Sequence, residues 1–237
     1  RASARETAVR VAAGSIAKKI LRLYDIEILA YIRSIGSIQS KELTDISKGS
    51  FVKKSSLFSH DPKAEQEMIS YLKKIRKEKE SIGGIVSLIS SDLPTGLGDP
   101  VYEKLSANLA KAIFSIPAVK GFEIGSGFAS SQMKGSEHND LFHLQKEKIR
   151  TKTNHSGGLL GGITNGMPLK LSAAFKPASS IFKSRPTLTV DKEKTNFSLP
   201  SHAKHDLCPA VRAVPVVEAM TAFVLADALL MNRLSKI

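Results

Sequence analysis

Ile82-Gly83-Gly84-Ile85-Val86-Ser87-Leu88-Ile89-Ser90 is a short apolar run rich in β-branched residues, and its length predicts a strand. The turn-rich loop Leu93-Pro94-Thr95-Gly96-Leu97-Gly98-Asp99-Pro100 follows it. Residues 101–114 then place Leu105, Leu109 and Ile113 four apart, as one face of a helix requires. Residues 119–128 read as a second strand with Gly121, Gly125 and Gly127 inside it. Upstream, residues 26–35 predict a strand and residues 64–80 a helix with Met68, Leu72 and Ile75 turned inward. Downstream, residues 167–175 predict a strand and residues 215–234 a helix that opens with Pro215 in its first turn. Strands and helices alternate, so helices pack on a sheet; the alternation does not fix parallel or antiparallel order.

The chain also opens on a helix. Ser3 and Glu6 have the spacing of a capping box. Ala8, Ala12, Ile16 and Ile20 mark its expected inner face, which fades near Tyr24. Residues 36–62 read as a long irregular connection, residues 133–153 as a mobile polar excursion, and residues 184–203 as a further polar stretch. The charge run at residues 73–80 reads as a solvated helix face. No repeat of solenoid length is present.

Composition bounds the function. The chain has 237 residues, 42% apolar and 24% charged, with 16 Gly and 10 Pro, which excludes collagen-like and disordered classes. The lone cysteine, Cys208, cannot form an internal disulfide, which points to a reducing compartment and a cytoplasmic location. The most apolar stretch, residues 213–231, is interrupted by Glu218 and Asp227, so no membrane span is expected. The start is polar, without a secretory segment or an initiator Met, as in a processed product or a fragment. Net charge is +13, from 35 basic and 22 acidic residues. By thirds it is +7 for residues 1–80, +1 for 81–160 and +5 for 161–237. Such a field attracts anions: nucleic acid, an acidic membrane, or a multiply charged small molecule.

Four segments could carry chemistry. Asn154-His155-Ser156-Gly157-Gly158-Leu159-Leu160-Gly161-Gly162-Ile163-Thr164-Asn165-Gly166 holds five of the sixteen glycines, and successive N–H groups there could cradle a phosphate. It is neither a Walker loop nor a framed dinucleotide fingerprint, and a bent connector explains it equally. Lys176-Pro177-Ala178-Ser179-Ser180 follows a strand end and offers an oxyanion one cation and two hydroxyls. Lys204-His205-Asp206-Leu207-Cys208, ahead of Arg212, offers a proton-transfer pair or a plain surface loop. A Cys208 nucleophile lacks its orienting context. The six histidines form no zinc pattern, so no metal is expected. Nucleic acid fits the charge, yet no RNA- or DNA-binding motif occurs and aromatics are only 6%, few for base stacking.

Taken in order, these segments resemble the chorismate synthase family. The resemblance rests on Arg1-Ala2-Ser3-Ala4-Arg5-Glu6-Thr7-Ala8 with Arg10-Val11-Ala12-Ala13-Gly14, and on Asn154-His155-Ser156-Gly157-Gly158 through Gly166. It rests equally on Phe175-Lys176-Pro177 and on His205-Asp206 with Arg212-Ala213-Val214-Pro215-Val216-Val217-Glu218-Ala219-Met220. Residues 93–98 and 118–127 also fit. The match spans residues 1–237 as a single domain. It implies an α+β fold, a β-α-β sandwich with helices between antiparallel sheets, incomplete at its N-terminal part, in a homotetramer.

The activity implied is a lyase of aromatic amino-acid biosynthesis. It is the 1,4-anti-elimination of phosphate from 5-enolpyruvylshikimate 3-phosphate to give chorismate, requiring reduced FMN without net redox change. Some relatives reduce that flavin with NADPH. The substrate has two carboxylates and a phosphate, and each phosphate adds about −1.5 to −2. A pocket gathering these groups must be strongly cationic. Position by position, Arg1, Ala2 and Ser3 match flavin contacts, and Ser3 and Arg5 match substrate contacts at a helix start that favours anions. Ala118 and Gly161 match flavin contacts, and Pro117 stands where Asn is usual. Lys176, Pro177, Ala178, Ser179 and Ser180 match the segment that holds the flavin phosphate. Asp206 matches the carboxylate that works with the flavin in removing the substrate proton. Lys204 stands where Arg is usual, keeping the charge without the planar fork. Family members carry a further N-terminal part with two histidine motifs, so this polypeptide alone is expected to turn over little. A non-catalytic fragment retaining assembly and partial flavin binding is the nearest alternative, and a basic nucleic-acid binder the next.

Overall fold

The computed structural model describes residues 4–145, 147–200, 202–203 and 206–235. The expected contacts at Arg1, Ala2, Ser3 and Lys204, and His205 beside them, lie outside the described residues. In chain order, a 3-10 turn (Ala4–Glu6) leads into α1 (Thr7–Arg22), β1 (Ile28–Ile35) and β2 (Ile38–Gln39). A 3-10 segment (Ile46–Lys53), α2 (Pro62–Lys77), β3 (Gly84–Asp92), α3 (Leu105–Phe114) and β4 (Val119–Ile124) follow. Then come α4 (Gly135–His138), β5 (Phe142–Gln145), β6 (Lys148–Thr151), β7 (Leu159–Leu160), β8 (Ile163–Thr164) and β9 (Pro168–Phe175). The last are β10 (Arg185–Leu188), β11 (Lys194–Phe197) and α5 (Pro209–Leu234).

Five strands form the main sheet in the order β2-β1-β3-β9-β4, every pair antiparallel. The fold is therefore α+β with antiparallel pairing, as the resemblance implies; the alternation of elements alone left the strand order and direction open. Alternation in β9 is clean: Leu169, Leu171, Ala173 and Phe175 are buried, whereas the residues between them are half-buried. That period of two puts one face of the strand on a core. The core is shared with Leu105, Leu109 and Ile113 of α3 and with Val214, Val217 and Leu225 of α5. The helices thus cover one face of the sheet. On the opposite face Tyr31 and Ile89 pack with Leu43 and Val52, next to and within the 3-10 segment. Among the described residues the remaining strands form three separate two-stranded ribbons.

α5 is the central helix. It is long and apolar enough by composition to cross a membrane, yet half of its apolar stretch is buried inside the protein, and it packs against β1, β3, α1 and α3. It begins at Pro209, six residues before the expected start. Pro209 takes the first-turn role, and Pro215 lies inside the helix, where its missing N–H leaves the Val211 carbonyl without the usual intrahelical donor. Glu218, the charge that interrupts the apolar run, joins three elements. Its Oε1 meets Lys18 Nζ of α1 at 2.5 Å, and its Oε2 accepts the Ala30 N–H of β1 at 2.9 Å.

α1 corrects the expected burial. Gly14, Ala17 and Leu21 are buried, whereas Ala8, Ala12 and Ile16 are exposed. The reason is a close approach: a Cβ on Gly14 would collide with Ala219 of α5, so the face with Gly14 and Ala17 turns inward. Glu6 is the N-cap residue but makes no capping bond; its carboxylate pairs with Arg10 at 2.7 Å. Ribbons β5–β6 and β10–β11 lie in segments read from sequence as polar excursions.

Candidate functional site

Several expected residues meet where β9 ends and β3 and β4 begin. Val119 and Gly84 both stand opposite Phe175 in register. Just beyond, the Lys176 N–H donates to the Ala118 carbonyl at 2.9 Å. Ser81 Oγ donates to the Ala178 carbonyl at 2.6 Å, and the Ile82 N–H donates to the Leu207 carbonyl at 2.8 Å. A side chain at Gly83 would press on the Phe175 carbonyl and Pro177, so glycine lets these strands of the chain close up. Ala118, Lys176, Ala178 and Leu207 are therefore drawn together by these hydrogen bonds, with Pro117, Pro177 and Asp206 next to them in the chain and Ser179 and Ser180 continuing the same loop. Ala118 holds φ at +71°, a left-handed conformation unusual outside glycine. Strained backbone of this kind concentrates at functional sites.

The side chains around this junction are mostly cationic. Lys176, Ser179 and Ser180 are exposed. Arg185 Nη2 donates to the Ser179 carbonyl at 2.8 Å. Lys183 pairs with Glu80 at 2.7 Å, and that bond holds the Glu80 carboxyl below its ordinary range. Asp206 meets Arg212 Nε at 2.7 Å, across the first turn of α5. Lys183 and Arg185 were not singled out from sequence, whereas Arg212 was named with the Asp206 segment, and the structure pairs the two. Burial pushes the Cys208 thiol up, so it stays protonated at neutral pH and is no nucleophile.

Arg5 stands in the 3-10 turn that opens α1. One turn later, Arg10 Nη1 donates to Ser115 Oγ at 2.6 Å, two residues before Pro117. The start of α1 is thereby anchored beside the same junction.

Gly161 is placed elsewhere. Gly161 and Gly162 form the two-residue turn between β7 and β8, with φ of +61° and +98°. Positive φ at both positions is the type I′ hairpin, which glycine permits. The Gly162 carbonyl accepts the Leu105 N–H at 2.8 Å, and the Asn154 side chain donates to the Pro168 carbonyl at 2.8 Å. The turn thus sits at the first residue of α3, and Asn154 of the same segment at the first residue of β9, whereas Lys176 follows the last residue of β9. Eight strand residues separate the two ends by about 23 Å. Within one chain, then, Gly161 does not join the junction.

The glycine-rich segment is instead organised by Asp140, a residue unremarked in the sequence. Its carboxylate accepts from Thr153 Oγ1 at 2.6 Å and from the N–H groups of His155 and Ser156 at 2.8 and 2.9 Å. Burial raises its pKa, but these hydrogen bonds outweigh burial and hold the carboxyl below its ordinary range. No cluster of three or more metal-ligating side chains occurs among the described residues.

Comparison with known proteins gives a consistent family. The family model described as chorismate synthase matches residues 1–230. A chorismate synthase of Protochlamydia amoebophila is 54% identical over 98% of this chain and 65% of its own length. One from Crocosphaera subtropica is 47% identical over 97% of this chain and 63% of its own length. A solved structure titled as a crystal structure of chorismate synthase superposes with a TM-score of 0.82 at 32% identity, covering 98% of this chain and 65% of that one. The chain therefore spans slightly less than two-thirds of the length of these relatives.

Proposed function

The chain belongs to the chorismate synthase family, and on that premise we propose that it serves the elimination of phosphate from 5-enolpyruvylshikimate 3-phosphate to give chorismate. The reaction removes one proton and one phosphate and leaves one new carbon–carbon double bond. Reduced FMN, when bound, supplies electron density that eases departure of the phosphate.

The residues at the junction fit such a group. Lys176 offers a point charge, and Ser179 and Ser180 offer exposed hydroxyls, to a phosphate. Lys183 and Arg185 lower the cost of bringing further negative charge to that loop. Ala118, held in its left-handed conformation by Lys176, presents backbone to the same space. Arg5 binds a substrate anion from the start of α1. Asp206 works with the flavin in removing the substrate proton, and Arg212 fixes the orientation of its carboxylate. Gly161 would reach the cofactor only from a neighbouring copy, in keeping with a homotetramer.

The observation that carries this reading is the convergence of Ala118, residues 176–180 and Leu207 on one end of the sheet, amid an excess of cations. Flavin titration tests it. Lys176→Ala should weaken FMN binding by about 10- to 100-fold, the worth of a charge-assisted contact, with unchanged circular dichroism. Unchanged affinity in a folded variant would remove the phosphate assignment.

A further inference from the structure

The sheet face turned away from α1, α3 and α5 carries a polar trough that the residues assigned above do not line. One register row crosses four strands: Tyr31 stands opposite Ser87, Ser87 opposite Ser172, and Ser172 opposite Glu123. Directly opposed residues of antiparallel strands share a face, so these side chains form a line. The Ser87 and Ser172 hydroxyls lie 2.8 Å apart and share a hydrogen bond. A cavity of about 240 Å³ lies over the row, bordered also by Arg33 and Lys170.

The charges of this trough do not cancel locally. Lys170 Nζ is matched by Glu42 at 2.8 Å. Arg33 Nη1 is buried and has no hydrogen-bond partner among the described residues. Glu123 Oε2 accepts the Phe128 N–H at a long 3.2 Å. An unmatched cation therefore stands on the β1 side, a carboxylate on the β4 side, and hydroxyls between them. A simple anion would satisfy Arg33 and be repelled by Glu123; a simple cation would do the reverse. A molecule with a carboxylate and a neighbouring hydrogen-bond donor satisfies both ends, and the cavity is of a size for it.

We propose that this trough binds a small α-amino or α-hydroxy acid, its carboxylate on Arg33, its α-donor toward Glu123, and the Ser87–Ser172 pair beneath. The site is separate from the junction of Ala118 and Lys176 and does not depend on the reading given to it.

The test is titration of the full chain with L-serine, L-lactate and acetate, followed by calorimetry or NMR. Saturable binding of serine or lactate is expected, with acetate at least about tenfold weaker because it lacks the α-donor. Arg33→Gln should weaken binding about tenfold or more. Ser172→Ala, which removes one hydroxyl from a half-buried site, should weaken it severalfold and guards against misfolding of the first variant. Glu123→Gln distinguishes the two acids: it should affect an ammonium group more than a hydroxyl. Lys176→Ala should leave binding unchanged. Equal affinity for acetate, no saturation with either acid, or unaltered binding in folded Arg33→Gln and Ser172→Ala would each overturn the proposal.

Discussion

Glu65 illustrates how much one side chain can organise. It is 5% exposed, and its Oε1 accepts from Ser55 Oγ at 2.7 Å, Ser56 Oγ at 3.0 Å and the Leu57 N–H at 3.2 Å. Burial raises its pKa, but these donors outweigh burial and hold the carboxyl below its ordinary 4.5. A depressed folded pKa contributes stability that is complete above the unfolded value and lost as pH falls through the folded one. Urea unfolding should therefore show stability falling below about pH 4.5, with a shallower fall in Glu65→Gln. Glu65→Ala strands three donors and should cost about 2–4 kcal/mol at pH 7. At Ala118 the sign reverses. An L-residue in the left-handed region costs about 1–2 kcal/mol, and glycine's added unfolded freedom returns about 0.4–1 of it. Ala118→Gly should raise stability by about 0.5–1 kcal/mol, read as a higher urea midpoint.

Among the elements, the α1–α5 contact is the most exacting. Gly14→Ala would gain about 1 kcal/mol of helix propensity. The added methyl meets the Cβ and Cα of Ala219, both on the backbone scaffold and unable to rotate away. Overpacking of this kind costs about 1–3 kcal/mol, so a net loss of up to about 2 is expected in chemical denaturation. β1 shows a second device. Next to β2 its pairing is short, and farther along its outer edge the Ala30 N–H is taken by Glu218 and the Ile32 N–H by the Phe58 carbonyl. These partners cover an edge that would otherwise invite another strand. α2 and α3 were legible from periodicity, because Met68 and Ile75, and Leu105, Leu109 and Ile113, form single apolar stripes and are buried as expected. α1 was not, because Ala8-Ala12-Ile16 and Gly14-Ala17-Leu21 are two competing stripes, and only docking on Ala219 selects between them.

For the whole molecule, the net charge is +13, and Lys176, Lys183, Arg185 and Arg212 bring part of that excess to the junction where the phosphate-binding role is proposed. Ile16 of the rejected stripe of α1 remains outside, 63% exposed, with Val9 near it 72% exposed. Contact between copies through this surface is the outcome expected of the proposed homotetramer. Sedimentation at micromolar concentration should give a species larger than one chain, and Ile16→Glu should shift it to smaller species without loss of helical signal. A monomer in both cases would remove the assembly from the proposal. The candidate site was legible as motifs, since Lys176 to Ser180 and Asp206 each carry ion-binding chemistry in a few residues. Their meeting was not, because it runs through the Lys176–Ala118, Ser81–Ala178 and Ile82–Leu207 hydrogen bonds, between residues far apart in the chain.

The amino-acid order alone determined the long periodic elements, the excess of cations and the family resemblance, because periodicity, charge and motif spacing are properties of neighbouring residues. Only the tertiary structure decided which stripe of α1 is buried, the order of the strands in the sheet, the placing of Gly161 far from Lys176, and the short ribbons inside polar segments. Each of those depends on contacts between distant parts of the chain, where burial and register compete on nearly equal terms and packing of the whole core makes the choice.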